Sequence, residues 1–296
     1  MKLSEICSII GDCQLYREGE FETLGLNIAI NGFKTLSFID GEDYIGSLSK
    51  DISCVLTKKE LADKFDENIG VLVCDEPRID FFKLHNELIG KVEYTGSKNS
   101  TVIGSNCSIS NLSSISNTNV IIGDNVTIEE FVVIRENVII GDNSIIRAGA
   151  IIGGEGYECK RDGETVFAVK HAGWVDIGKN VEVQYNSCID KAVYPWDKTI
   201  VSDYCKIDNL VHLGHACKIG KGTMFAANSL VGGRTIIGEK CWVGISTTIS
   251  NGLVIGSNCK MNIGSVVTRN LDDKSNVTGN FAIDHAKFIK FIKSIR

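Results

Sequence analysis

The sequence predicts a mainly β chain built as a parallel β-helix, with a small α/β domain in front and a short helix behind. Three observations carry that expectation. From Val201 an apolar residue recurs at every sixth position, through Ile207, Leu213, Ile219, Phe225, Val231, Ile237, Val243, Ile249, Ile255, Met261 and Val267, twelve hexads without a break. Glycine is abundant at 30 and proline nearly absent at 2, which suits many tight turns in a regular array. Residues 1–97 carry no hexads and alternate strand-like with helix-like runs.

Further hexads run at Ile122, Ile128, Ile134, Ile140, Ile146 and Ile152, with shorter runs at Ile103, Ile109, Ile115 and at Ile177, Val183, Ile189. Within each hexad a strand period of two turns position one and a small residue at position five inward. Three such units make a coil of about 18 residues, each burying its aliphatic residue against the same position one coil away, so the ends need caps. The repeat domain is expected to span 98–280. Two segments break its count, 154–174 (GEGYECKRDGETVFAVKHAGW) and 193–199 (VYPWDKT). Insertions in repeat proteins fall on loops that often serve binding, and one of the two is expected to be an arm over a site, a plain solvent loop being the alternative.

In residues 1–97 the runs LNIAI, LSFID, CVLTK and GVLVCDEP alternate with KKELADKF and RIDFFKLHNEL, which reads as a separate α/β domain. In the last segment, 281–296, DHAKFIKFIKSIR puts Phe288, Phe291, Ile292 and Ile295 on one helical face and Lys287, Lys290, Lys293 and Arg296 largely elsewhere. Such a helix would cap the last coil, pack in an oligomer, or meet an acidic carrier protein.

A net charge of −6 offers no basic footprint for nucleic acid. Eleven cysteines without paired metal spacing, and a start (MKLSEICSII) without a signal pattern, point to a reduced, cytoplasmic protein. No apolar run approaches the roughly 18 residues that span a bilayer.

Two of the five histidines fall together in KIDNLVHLGHACKIG. His215 stands at the third, outward position of its hexad, and Asp208 seven residues upstream at the second position of the hexad before. A carboxylate orienting an imidazole is a recurrent way to fix the tautomer of a base, whereas a lone surface histidine or a turn aspartate is ordinarily only solvated. Gly232 and Gly233, about one coil after His215, are candidates for a backbone oxyanion donor.

The hexads resemble those of the hexapeptide-repeat acyltransferases, which implies a left-handed β-helix. IDNLVHLGH, together with GGEGY, VKHAGWVDIGKNVEVQYNSCIDKA, LSFID and GVLVCDEPRIDFFKL, resembles the lipid A pathway UDP-3-O-acylglucosamine N-acyltransferases over nearly the whole chain. That resemblance implies His215 as general base, Asp208 as its partner, and Phe38 with Tyr44 as holders of a uracil ring. Asn186, Asp190, Asn209, His212 and His171 are the further substrate-binding candidates in the matching segments. No bound cofactor is expected; the co-substrate would be an acyl-CoA or acyl-carrier-protein thioester, and the acceptor a nucleotide-linked amino sugar. Such an amine is mostly protonated at neutral pH, and an imidazole, ordinarily titrating near about 6.5, is suited to remove its proton. The flat faces of a three-sided prism, and the family's sites between subunits, imply a homotrimer.

Three departures favour a shorter acyl group on CoA and a surface-polysaccharide product. Gly41 stands where the family pattern has Asn, Asn251 and Gly252 stand where it has a second His, and NIGSVVTRNL with NVTGNFA resembles the end of CoA-dependent sugar acetyltransferases, with Phe281 in place of Pro. Three other readings compete: a sugar O-acyltransferase, a scaffold that only binds a nucleotide sugar, and a zinc-dependent carbonic anhydrase using His171, His212 and His215.

Overall fold

The computed structural model describes residues 1–279, 282 and 284–295. The hexads form strands mostly two residues long, stacked into three parallel sheets of nine, eight and eight strands, one on each face of a left-handed β-helix. The register repeats every 18 residues: Ile207 lies beside Phe225, Leu213 beside Val231 and Ile219 beside Ile237. The anchors form one continuous buried column.

Position five turns inward as well, with Val211, Cys217, Thr223, Ser229, Thr235, Cys241 and Thr247 all buried. Hydroxyls are tolerated there because a carbonyl of the next coil accepts them: Thr223 Oγ1 donates to Gly238 O at 2.9 Å and Thr235 Oγ1 to Ser250 O at 3.0 Å. A buried hydroxyl with such a partner avoids most of its desolvation cost.

Most corners turn through a left-handed residue at position four, by Asn at φ 59° in Asn125, Asn143 and Asn228, but also by Leu210 at 58°, Ala216 at 60° and Arg234 at 60°. Asn adopts that region readily, whereas other side chains are strained there. The coil below offsets the strain through a ladder bond, as where Arg234 N donates to His215 O at 2.8 Å and Asn228 N to Asn209 O at 3.0 Å.

Val138 pairs with Val175 and Ile177 with Val201, so the chain loops out of the helix twice, where the sequence breaks its count. The first excursion is an arm carrying an antiparallel hairpin of Cys159–Asp162 and Thr165–Ala168.

The N-terminal segment forms a five-stranded sheet in the order Cys13–Arg17, Gly70–Cys74, Ile52–Thr57, Thr35–Ile39, Thr23–Leu24, parallel except at its first pair. Helices Leu3–Ile10 and Pro77–Leu88 cover it. Its core is not closed on itself: Val169 from the arm, and Val193 and Tyr194 from the second excursion, are buried in the same cluster. Trp196 Nε1 donates to Leu24 O at 2.8 Å, and Asn86 bonds both Ala168 O and Lys170 N at 2.9 Å. The sheet therefore sits on the β-helix through the two insertions.

The terminal helix runs His285–Ser294, its first turn capped by the Asp284 carboxylate. Phe288 and Phe291 on its apolar face are exposed. Phe281 and Arg296 lie outside the described residues. Among the described residues no helix is long and apolar enough to cross a membrane.

Stacking of identical positions makes an anchor costly to remove. Phe225, buried to 2%, should cost about 3–5 kcal/mol when changed to Ala. Urea denaturation followed by circular dichroism checks this; an unshifted midpoint would contradict a continuous packed column.

Candidate functional site

His215 lies at the corner where the strand His212–Leu213 turns toward Lys218–Ile219. The hexad count puts it on the outer surface, but the arm folds over it and leaves only 12% of the side chain exposed. Glu158 of the arm brings Oε2 to 3.4 Å from His215 Nε2, and Lys160 pairs with the same carboxylate. Burial alone would raise the Glu158 carboxyl. The hydrogen bonds with His215 and Lys160 and the nearby charges of Lys160 and Arg234 outweigh burial and hold it at about 2. Glu158 is thus a permanent anion beside the imidazole.

Two glycines shape the space around the ring. A Cβ at Gly156 would lie 3.0 Å from Asp190 Oδ2, 3.1 Å from His171 Nε2 and 3.4 Å from His215 Cδ2, so a side chain there would press on all three. On the next coil, a Cβ at Gly233 would sit 2.6 Å from His215 Nε2.

His171, also from the arm, meets the His215 ring edge to face at 5.5 Å between centroids. Its Nδ1 lies 3.0 Å from Val169 O, and burial pushes its pKa down to about 4, so it is neutral at ordinary pH. Asp190 Oδ2 stands 2.8 Å from His212 Nε2, an interaction that raises the His212 pKa. Four buried polar atoms of this neighbourhood have no hydrogen-bond partner: His215 Nδ1, His171 Nε2, Arg234 Nη2 and Tyr194 Oη. Unpaired buried polar groups are rare in folded proteins, and four around one histidine mark a place where polar chemistry is done.

The structure gathers His215, His171, His212, Asp190 and Gly233 at one corner. It does not bring Asp208 to His215 within the chain. Six residues carry the backbone across one face to the next corner, so seven place the two on successive corners. The Asp208 oxygens instead accept from Asn209 N at 2.7 Å and Ala227 N at 3.0 Å. Asn209 and Asn186 share that other corner, where Asn209 Oδ1 accepts from Tyr185 N and Asn186 N donates to Ala148 O. Gly232 donates its N–H to Ile249 O at 2.8 Å as part of the ladder, which removes it as an oxyanion donor and leaves Gly233.

Phe38 belongs to the N-terminal aromatic cluster, 5.1 Å from Phe81 and 5.9 Å from Phe82, with the Arg78 guanidinium 6.0 Å from its centroid. Tyr44 is exposed on the turn Glu42–Ser47, its ring against Gly41. Lys160 joins the two regions, with Nζ 4.3 Å from the Phe82 ring centroid while it pairs with Glu158.

Glu158, Lys160, Arg234 and Tyr194 are members of the site that sequence reasoning missed. The break in the hexads was the available signal for Glu158 and Lys160, since it marks the arm as an addition the coil does not need. Nothing in the spacing distinguishes Arg234 from any other corner residue.

Fold and site together define a left-handed β-helix of hexapeptide repeats with a covered histidine on one corner. The family model "Bacterial transferase hexapeptide (six repeats)" matches residues 119–154. Over 144 residues the chain is 32% identical to the UDP-3-O-acylglucosamine N-acyltransferase of Delftia acidovorans, covering 48% of this chain and 42% of that one. Over 91 residues it is 42% identical to the UDP-3-O-acylglucosamine N-acyltransferase 2 of Legionella pneumophila (strain Lens), 31% of this chain and 26% of that one. The matched segments thus span less than half the length of these relatives. Among solved structures, the UDP-N-acetylglucosamine acyltransferase from Campylobacter jejuni superposes with a TM-score of 0.54 at 20% identity, over 66% of this chain and 79% of that one. The corresponding Arabidopsis protein gives 0.50 at 24%, over 61% and 68%. At these identities the two likenesses concern the fold.

Two buried neutral imidazoles give the protein an acid-side pH dependence. His85 and His171 both titrate at about 4 in the folded chain because burial disfavours the cation, against an ordinary 6.5. Between those values the unfolded chain binds more protons, so stability is intact above about pH 6.5 and falls as pH drops toward 4, by a few kcal/mol in all. His212, raised by Asp190, works the other way, its contribution being lost as pH rises through its folded value. Urea midpoints measured from pH 7 to 4 should fall, and less steeply in His85→Gln than in the parent.

Proposed function

We propose that this protein is an N-acyltransferase that moves an acyl group from a CoA or acyl-carrier-protein thioester to the amine of a nucleotide-linked amino sugar. The observation that carries it is the arrangement at the covered corner: an imidazole held beside a permanent carboxylate, with a backbone N–H and no side chain at Gly233 on the adjoining coil. The named relatives, acyltransferases acting on a UDP-linked acylglucosamine, support the acceptor class.

In this reading the sugar ammonium gives one proton to solvent, and His215 takes a second from the nitrogen as the amine attacks. The freed amine attacks the thioester carbonyl, forming the C–N bond, and the oxyanion of the tetrahedral intermediate accepts a hydrogen bond from the Gly233 N–H. Collapse breaks the C–S bond, and a proton returns from the imidazolium to the leaving thiolate, so amide and free thiol are the products. Glu158 holds the ring in place. Exposed Tyr44, and Phe38 under Arg78, are the groups offered to a nucleobase, and the continuous path through Phe82, Lys160 and Glu158 supports a single site from base to amine. The uncovered apolar face of His285–Ser294, and exposed side chains such as Trp242, Ile236 and Val266 on the three faces, support a homotrimer. All eleven cysteines are free, which suits a reducing cytoplasm.

The test is thiol release, with UDP-linked amino sugars as acceptors and acetyl-CoA, hydroxybutyryl-CoA and acyl carrier protein as donors. Wild type should consume one donor and His215→Ala none; equal turnover by the variant would remove the base, and an alkali-labile product would mean O-acylation. Glu158→Gln should lower kcat about 10- to 100-fold with KM little changed, as loss of an orienting carboxylate does. Gly233→Ala displaces the imidazole and should cost at least about 100-fold in kcat, with the circular dichroism spectrum unchanged.

A further inference from the structure

Away from the covered corner, a cavity of about 420 Å³ opens where the N-terminal sheet, the short helix Val92–Thr95 and the second excursion meet. That volume is in the range of small-molecule sites. Its wall includes Thr23, Phe33, Tyr94 and Trp196, with Glu22 and Glu93. Thr23 is buried to 6% exposure, yet its Oγ1 has no hydrogen-bond partner. Trp196 is fixed by its bond to Leu24 O and by lying parallel to Tyr194 at 5.8 Å, so its indole is a preset wall. Tyr94 is likewise held, its hydroxyl 2.7 Å from His85 Nδ1. Both carboxylates are exposed, Glu22 with one oxygen accepting from Lys34 N at 2.9 Å. Among the described residues no lysine, arginine or histidine lines the cavity, and the Met1 ammonium on its wall donates to Phe21 O at 2.9 Å.

Buried hydroxyls are nearly always paired, and one left open on a cavity wall is retained where a ligand completes it. The other groups say what that ligand carries. Aromatic faces attract a cation, two carboxylates add to the attraction, and both disfavour a phosphate. We propose that this cavity binds a small organic cation bearing a hydroxyl, its ammonium held by the rings and carboxylates and its hydroxyl by Thr23 Oγ1. The site is separate from the groups offered to a nucleobase. Phe33 precedes the strand Thr35–Ile39, and Phe38 lies near that strand's far end, five residues or about 16 Å of extended chain away. None of the residues gathered around His215 lines the cavity. An amino sugar has the chemistry required, and choosing it as a probe rests on the acyl-transfer reading; the cation site itself does not.

Calorimetric titration of the full chain with glucosamine, N-acetylglucosamine and choline tests this, in wild type, Thr23→Val, Glu93→Gln and His215→Ala. Wild type should bind glucosamine at least about tenfold more tightly than N-acetylglucosamine, whose nitrogen carries no charge. Glu93→Gln should weaken glucosamine about tenfold and Thr23→Val about three- to tenfold, the usual worth of a charged and a neutral hydrogen bond. His215→Ala should leave it unchanged. Without ligand Thr23→Val should melt no lower than wild type, since the hydroxyl it removes is unpaired, and Glu93→Gln reports on the same wall from an exposed position. Choline bound in place of glucosamine, with the same losses in Thr23→Val and Glu93→Gln, keeps the cation site and assigns it to an amine that is not a sugar. The site is overturned by unchanged affinity in both wall variants, by loss of binding in His215→Ala, by N-acetylglucosamine binding as tightly as glucosamine, or by failure of wild type to bind either amine. Thioester turnover is scored separately: a protein that acylates nothing yet binds glucosamine in this way keeps the cation site and refutes only the reaction.

Discussion

The stacking of one buried position on its counterpart 18 residues away is the constraint on which the rest of this structure depends. It fixes the three faces, since Ile207 must meet Phe225 and Leu213 must meet Val231 for the column to close. It also forces most corners through a left-handed residue, including side chains as ill suited as Leu210 and Arg234. That strain is supportable because most such corners are bonded to the coil before them, as Leu210 N is to Tyr185 O and Arg234 N to His215 O, so the cost at one turn is shared with a neighbour that needs the same geometry.

A rigid prism of this kind presents corners of nearly identical backbone, and chemistry can arise on one of them only through additions. The two excursions are those additions. The arm supplies Glu158 and Lys160 over His215, and with the second excursion it completes the core of the N-terminal sheet through Val169, Val193 and Tyr194. The element that covers the histidine is therefore also the element that seats the sheet carrying Phe38 and Tyr44. A change in how that domain packs would be felt at the imidazole through Lys160, which lies on Phe82 and pairs with Glu158.

Different parts of this architecture were legible in the sequence to different degrees. The coils were readable to the residue because a six-residue period written in Ile, Val and Leu repeats one buried position, and the small residues at position five turn inward as the strand period requires; their left-handed sense came from the family resemblance instead. Gly233 followed from the same arithmetic, being one coil from His215. Asp208 did not, because a spacing of seven within a hexad array crosses a face and ends at another corner, where backbone N–H groups take up both carboxylate oxygens. Gly232 failed for a related reason: its N–H belongs to the ladder.

By itself the sequence determined the β-helix, its interruptions, and the corner on which the histidines stand, because these are consequences of local periodicity and of where it breaks. Only the tertiary structure decided that the arm closes over His215 and that Glu158 is the carboxylate beside it. Those contacts join residues with no periodic relation, and the path of a loop across a surface is set by what it can pack against rather than by its own spacing.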